Sequence, residues 1–505
     1  MILSRYTLKN IDRDTVVVPD EGLFSLPEKV LQFGTGALLR TLPDYFIDKA
    51  NRQGVFNGRI VAVGLSSQGN TSVFDKQDAL YTHCILDVKS GEKTQETIIN
   101  SSISRVLTAT EQWNEVLDCA HSRDIQIIIS NAGELGLQLV PEDIRQHPPK
   151  SYPGKLLSFL YERFHAFGGS AHSGMIILPT ELITDNGKKL ESVVLELAHL
   201  NGLEEEFIEW LENHNRFCNS LADRIAPCKP KPEFVSKIEA ELGYDDQLLV
   251  ASEDYCFWAI EGDGHVKEVL SFAEADGRVV VKPDIGVHRE LKLHLLNATH
   301  TLASAVALFS GCQTVNAAMQ DKTLSSYIVN LMQEEIASAI PGQVETTAVG
   351  TFGSNVLTRF RNPHIEHPWL SITINYSAKM KARCIPVLMK HYQKTDAVPQ
   401  AMSLGVAAYI YFMKGVSTKD DHYFGEFNGE AYLIDDEQAD IFYKRWTGLS
   451  VASLVQIVLS DAFWGVDLLS LPGFKLSVIE KLNLIINNGM REAIESIPSN
   501  KVQAA

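Results

Sequence analysis

The chain has 505 residues, 45% apolar and 21% charged, with 45 Lys plus Arg against 63 Asp plus Glu for a formal net charge of -18. That composition suits two or three globular domains and excludes a mainly disordered, collagen-like or coiled-coil chain, while the acidic balance without a basic patch excludes nucleic acid as a partner. Seven scattered cysteines without a CxxC argue against a disulfide framework or a thiolate zinc site, and no apolar run reaches the ~18 residues of a membrane span.

The first residues, Met1 to Tyr6, lack the apolar core of a signal peptide, so a soluble, cytoplasmic protein is expected. Lys29 to Phe33 reads as a short strand, Gly34-Thr35-Gly36 as a turn, and Ala37 to Ala50 as a helix that Pro43 bends or restarts. Arg59 to Val63 is a second buried strand. A strand near Tyr81 to Leu86, a helix near Glu111 to Ala120 and a strand at Ile125 to Ile129 follow. Met175 to Leu178 is another strand, and Leu190 to His199 a helix. Strands alternating with helices imply a mostly parallel sheet with crossover helices, an α/β class of Rossmann type.

From Val287 helical periodicity dominates: Leu291 to Leu308, Leu324 to Ile336, Ala401 to Met413, Ser450 to Leu459 and Leu476 to Ile486. The expected organisation is an N-terminal Rossmann-type domain over 1–285 and a mostly helical substrate-binding domain over 286–505. Lys282 to Gly286 forms the connector. No coiled-coil heptad marks an interface between copies.

Strand, Gly-x-Gly and helix in succession suit a pyrophosphate at a helix N-terminus, where free amides and the helix dipole favour an anion. Leu39 stands at the third fingerprint position, so a plain strand-to-helix turn reads equally well. The second strand ends Gly64-Leu65-Ser66-Ser67 without the usual ribose-binding acid and without an Arg for a 2'-phosphate. Asp75, Ser66 and Ser67 are alternatives, and NAD is favoured over NADP. The loop Ser130-Asn131-Ala132-Gly133-Glu134 follows a buried strand, where open parallel sheets place ligands.

The segment Lys292 to His300 carries the chemistry. On an α-helix, residues eight apart lie about 80 degrees apart and residues five apart about 140 degrees apart. Lys292 and His300 therefore share a broad face, Asn297 and His300 are neighbours, and Lys292 with Asn297 needs side-chain reach or a bent helix. A desolvated Lys can take the proton of a secondary alcohol while hydride leaves carbon, and Asn297 with His300 can donate to the developing alkoxide. The plain alternative is a surface Lys with a packing Asn and His. His294 reads as a packing or surface residue. His364 and His367 sit in a proline-flanked loop rather than a helical metal motif, and no metal site is expected.

These residues resemble the long-chain polyol and sugar-acid dehydrogenases, the family of mannitol 2-dehydrogenase, over essentially the whole chain. The resemblance rests on Gln32 to Gly36 with Leu39-Arg40, Leu42 to Phe46, Asp78 to Thr82, Ser130-Asn131 with Glu134 to Gly136, Asn219 to Ile225, and the spacing Lys292-x4-Asn297-x2-His300. It implies metal-independent hydride transfer between NAD and a small sugar-acid or polyol, in a cleft between the two domains. Lys292 is implied as general acid and base, Asn297 as the carbonyl partner and His300 as the orienting group. Phe33, Gly34, Thr35, Gly36, Arg40, Ser130 and Asn131 are implied around the cofactor. Leu182 stands where mannitol enzymes carry a second oxyanion Asn, and Asn186 is the candidate replacement. Ser371 replaces an Arg of those enzymes, and Arg289 an acid. Arg361, Lys379 and Arg383 are candidates by chemistry for a substrate carboxylate, with Arg361 and Lys379 expected in the substrate site. A nucleotide-binding protein without turnover is the competing class.

Overall fold

A computed structural model describes residues 1–65, 71–89, 92–226, 230–340, 344–363 and 367–498. Packing divides the chain into two units, Met1–Ile285 and Gly286–Ala505.

The strands of the first unit are β1 (Glu28–Phe33), β2 (Arg59–Gly64), β3 (Tyr81–Lys89), β4 (Glu92–Asn100), β5 (Ile103–Thr108), β6 (Ile127–Ser130), β7 (Ile176–Pro179), β8 (Arg216–Phe217), β9 (Ser220–Asp223), β10 (Val250–Glu253), β11 (Phe257–Glu261) and β12 (Val279–Lys282). Six form one parallel sheet in the order β5-β2-β1-β6-β7-β8. The order reverses between β1 and β6, which opens a crevice at the carboxyl ends of those two strands.

The near-continuous apolar runs follow from burial on both faces. Val30, Ile60, Ala62, Ile127, Ile129, Ile176 and Leu178 pack into one core, and Leu31, Phe33, Val61, Val63, Ile128 and Ile177 into the other. The alternation is the two-residue repeat of a strand. The stretch from Tyr81 does form a strand, but outside the parallel sheet: β3 pairs antiparallel with β4 and parallel with β10. Thr82, Cys84 and Leu86 alternate with His83 and Ile85, a pattern that reports burial but not the partner strand. After the glycine turn the expected single helix is two: α1 (Ala37–Thr41) and α2 (Pro43–Arg52). Pro43 opens α2 at its first position, where a missing N–H costs nothing.

In the second unit one core is built around the Thr299–Phe309 and Gln400–Phe412 helices, both buried along nearly their whole length. Three further strands, β13 (Ser417–Lys419), β14 (His422–Phe427) and β15 (Glu430–Ile434), make an antiparallel meander within this helical unit. Its turns hold Asp420-Asp421 and Asn428-Gly429, all at positive φ, which is two-residue hairpin chemistry.

Where the two central helices cross, a Cβ on Gly405 would lie 2.9 Å from the Leu302 carbonyl oxygen. An Ala gains about 1 kcal/mol of helix propensity, whereas overpacking against backbone costs about 1–3 kcal/mol. Gly405→Ala is therefore expected to lower the denaturant midpoint of unfolding; an unchanged or raised midpoint would show that the crossing has room for a methyl group.

Candidate active site

At the crevice, Gly34 leaves β1 at φ 122°, with its N–H on the Val63 carbonyl at 2.9 Å. A side chain there would be strained and would meet Leu39 Cδ1 at 2.8 Å. Gly36 differs: its φ is -67°, it is exposed, and a Cβ would have nothing within 4 Å. Neither backbone conformation nor packing demands glycine at that point, so the open space above it is room for a ligand to approach the backbone. The first-turn amides of α1 beside it have no intrahelical acceptor. This arrangement fits a dinucleotide pyrophosphate.

Around the turn, the predicted residues divide by what their side chains do. Asn131 follows β6 at the same edge, its N–H on the Phe33 carbonyl at 3.2 Å and its amide on Thr180 Oγ1 at 3.0 Å. Phe33 is fully buried, with its ring 5.3 Å from that of Tyr152. Ser130 is also buried and donates to Glu181 at 3.0 Å. Arg40 is a buttress: its Nε donates to the Thr35 carbonyl at 3.1 Å and its Nη1 to the Leu248 carbonyl. Phe33, Ser130 and Arg40 thus shape the loops while Gly34, Thr35, Gly36 and Asn131 stand at the crevice. Ser66 and Ser67 lie outside the described residues, as does the side chain of Glu134.

Glu181 was not singled out by sequence. It is 2% exposed, accepts from the Ala132 N–H at 2.7 Å as well as from Ser130, and burial raises its pKa. It locks the β6 loop to the end of β7. Asn186 requires a correction. It is 1% exposed, and its amide nitrogen faces the carbonyls of Pro179 (2.9 Å), Glu181 (3.0 Å) and Ser220 (3.1 Å). Its oxygen accepts from the N–H groups of Gly187 and Ser220, both at 2.9 Å. With both amide hydrogens facing backbone, it has no donor left for a substrate oxygen and works as a knot between β7, β9 and the Asn186–Leu200 helix.

In the second unit the Lys292 segment departs from the α-helix assumed from sequence. Gly286–Leu291 and Thr299–Phe309 are α-helical, and Lys292–Ala298 between them is a π-helix. Its N–H groups bond carbonyls five residues back, so residue i+5 stands about one turn above residue i. Lys292 and Asn297, which diverge on an α-helix, come onto one face. Lys292 is 4% exposed and Asn297 half-buried.

His300 follows one turn later, 6% exposed, with Nε2 lacking a hydrogen-bond partner among the described residues. Its ring stacks on Phe360 at 4.2 Å and meets His367 edge-on at 5.2 Å and Trp369 at 6.0 Å. Burial holds its pKa well below the ordinary value, assisted by the charges of Arg359, Arg383 and Lys379. That direction favours the uncharged imidazole. Burial likewise draws His367 down to about 4. His294 is wholly buried, with Nδ1 3.2 Å from Glu290. His364 lies outside the described residues.

Two more π-turns, Leu331–Ile336 and Met380–Cys384, pack against Lys292–Ala298. Lys379, at the start of the latter, is half-buried and donates to the Ile372 carbonyl at 2.9 Å. Arg361 is a second correction. It is exposed and lines a separate groove of about 820 Å³ with Thr323, Asn330, Ser354 and Ile494. Two residues earlier on the Thr346–Phe360 helix, Arg359 is 6% exposed and bears on His300. Helical phase separates these two arginines, and only knowing which face Phe360 presents to His300 assigns them.

Two mannitol dehydrogenase models match the chain, the Rossmann domain over residues 28–272 and the C-terminal domain over residues 284–484. The chain belongs to the mannitol dehydrogenase family. Among its relatives, the altronate oxidoreductase of Halalkalibacterium halodurans is 36% identical over 483 residues, covering 94% of this chain and 93% of the relative. The altronate oxidoreductase of Bacillus subtilis is 34% identical over 471 residues, with 93% and 95% covered. The fold is that of Pseudomonas fluorescens mannitol 2-dehydrogenase, solved as a ternary complex with NAD and D-mannitol (TM-score 0.80, 20% identity, 98% and 99% covered). A substrate-free D-sorbitol dehydrogenase is also similar (TM-score 0.75, 20% identity, 98% and 100% covered).

Asn186→Ala should cost stability, about 1–3 kcal/mol for buried carbonyls and N–H groups left unpaired, read from denaturant unfolding. Arg361→Ala should leave both stability and turnover near wild type. A stable Asn186→Ala protein with a selective loss of turnover would return that residue to the substrate site.

Proposed function

We propose that this protein is an NAD-dependent oxidoreductase that interconverts D-tagaturonate and D-altronate. The observation that carries the reading is the π-turn that stacks Lys292 and Asn297 on one face beside the neutral His300. The altronate oxidoreductase relatives, at 33–36% identity over most of the chain, supply the substrate class. NADH, held at the edge formed by Gly34, Thr35, Gly36 and Asn131, would supply the hydride for the ketone carbon. As the carbonyl oxygen gains charge, Lys292 gives it a proton, and in the oxidation direction takes that proton back. Asn297 and His300 hold the oxygen by donated hydrogen bonds, worth most in a site that excludes water. Because His300 stays neutral, it polarises the carbonyl without competing with Lys292 as the acid. The chain's own residues complete this acid–base set.

A sugar acid brings a carboxylate, and the positive surroundings of His300 suit it. Arg359, Arg383 and Lys379 converge there, and an Arg can grip a carboxylate with two parallel bonds. Gly34, Thr35, Gly36 and Asn131 form the nucleotide-binding edge in this reading.

The test is NADH oxidation with tagaturonate and fructuronate offered side by side. Rapid oxidation with tagaturonate is expected; turnover of fructuronate alone would move the substrate to its stereoisomer, and silence with both would overturn the reading. Lys292→Ala should retain NADH binding and lose about 100-fold or more in kcat. Arg383→Ala should raise KM for the sugar acid about 10-fold, the scale of one charge-assisted hydrogen bond, with a smaller change in kcat. An unchanged KM would remove Arg383 from the carboxylate site.

A further inference from the structure

The two ends of the π-turn Lys292–Ala298 are held in different ways. Beyond it, every residue of the Thr299–Phe309 helix is buried. The Thr301 hydroxyl donates to the Asn297 carbonyl at 2.8 Å, and the Tyr376 hydroxyl to the Thr301 carbonyl at 2.8 Å. Before it, the Gly286–Leu291 helix has six residues and buries only Leu291. A helix of less than two turns has little stability of its own and takes its place from tertiary contacts.

One such contact is an ion pair. Lys390 Nζ donates to Glu290 Oε2 at 2.5 Å, and both side chains are half-buried. Glu290 lies two residues before Lys292. Lys390 lies on the Ile385–Lys394 helix, which continues the π-turn Met380–Cys384. The pair therefore joins two helices that flank the packed π-turns. Inside the first turn, His294 Nδ1 is 3.2 Å from the same Glu290 oxygen. Burial lowers the His294 pKa and favours its uncharged ring, so Lys390 is the cation that answers Glu290.

Register decides what this pair does. An α-helix turns about 100 degrees per residue. Were 292–298 to take the α register, the helix would close up by about one residue. Everything before it would then rotate by about 100 degrees against the Thr299–Phe309 helix. Glu290 would swing away from Lys390, and Lys292 would leave the face of Asn297. One rotation breaks both arrangements. We propose that Glu290 and Lys390 are positioning residues whose ion pair forms in the π register and so holds Lys292 over Asn297. The consequence for turnover rests on Lys292 being the proton-transfer group of the proposed function.

Two measurements on the full-length protein test this. Hydrogen exchange read by mass spectrometry should be faster in Lys390→Met than in wild type over residues 286–300, with the Gln400–Phe412 helix unchanged. In steady-state kinetics Lys390→Met should lose about 10-fold in kcat, with the KM for the sugar acid and the NADH affinity within about 2-fold, because a misplaced proton donor costs turnover more than binding. Lys390→Arg keeps a cation within reach of Glu290 and should stay within about 2-fold of wild type in kcat. Glu290→Gln should lose as much as Lys390→Met, and the double variant no more than either, since each removes the same pair. Additive losses, or a Lys390→Arg variant as slow as Lys390→Met, would show that this pair does not position Lys292. Unchanged exchange over 286–300 would overturn the proposal outright. If wild type turned over no sugar acid, the proposed function would fail, while the exchange result still decided whether the pair holds the turn.

Discussion

A change of hydrogen-bond register over seven residues, Lys292–Ala298, is the constraint on which the candidate chemistry depends. A π-turn is wider than an α-turn and rarely pays locally, because it spoils the packing along the helix axis. Here it persists between two α-helical stretches, against the Thr346–Phe360 helix and the π-turn Met380–Cys384. The return is alignment. Lys292 and Asn297 present together what an α-helix would turn about 140 degrees apart. Because the α-helix resumes at Thr299, His300 keeps its place one turn on, against Phe360.

The surroundings of that segment combine two opposing demands. In the proposed reading His300 is the carbonyl-polarising donor, and burial, which lowers its pKa, favours the uncharged ring. In the proposed reading an anionic substrate would find positive charge in Arg359, Arg383 and Lys379, whose charges are felt at His300. Neutral donor and cationic rim reinforce each other, since neighbouring positive charges further disfavour protonation of the imidazole. The aromatic packing of Phe360 and Trp369 holds the ring where these effects meet.

In the first unit the corresponding problem is a backbone one. Parallel strands buried on both faces end at an edge where their loops must be held open for a ligand. Glu181 pins the β6 loop, Arg40 pins the glycine turn, and Asn186 pins the end of β7. Each is a polar side chain whose hydrogen bonds go mainly to backbone, and so each shapes the crevice. Resemblance alone placed Asn186 among ligand-binding residues because it compares residue types, whereas the role depends on where the N–H groups point.

Sequence periodicity determined the alternation of strands and helices, the helical texture after Val287 and the neighbourhood of Lys292, Asn297 and His300, because each is encoded in local spacing. The Asp420-Asp421 and Asn428-Gly429 turns carry hairpin chemistry, but the helical reading of everything after Val287 passed over them, and the β13–β15 meander came from the structure. Tertiary structure alone decided the rest. Whether β3 joined the parallel sheet depended on partners distant in sequence, since alternation specifies a buried face and not a neighbour. Whether Arg359 or Arg361 bore on His300 depended on which face of their helix met the core. The π-turn has the same origin: nothing in Lys292 to Ala298 breaks an α-helix locally, and the packing around it, not the propensity of its residues, holds the wider register.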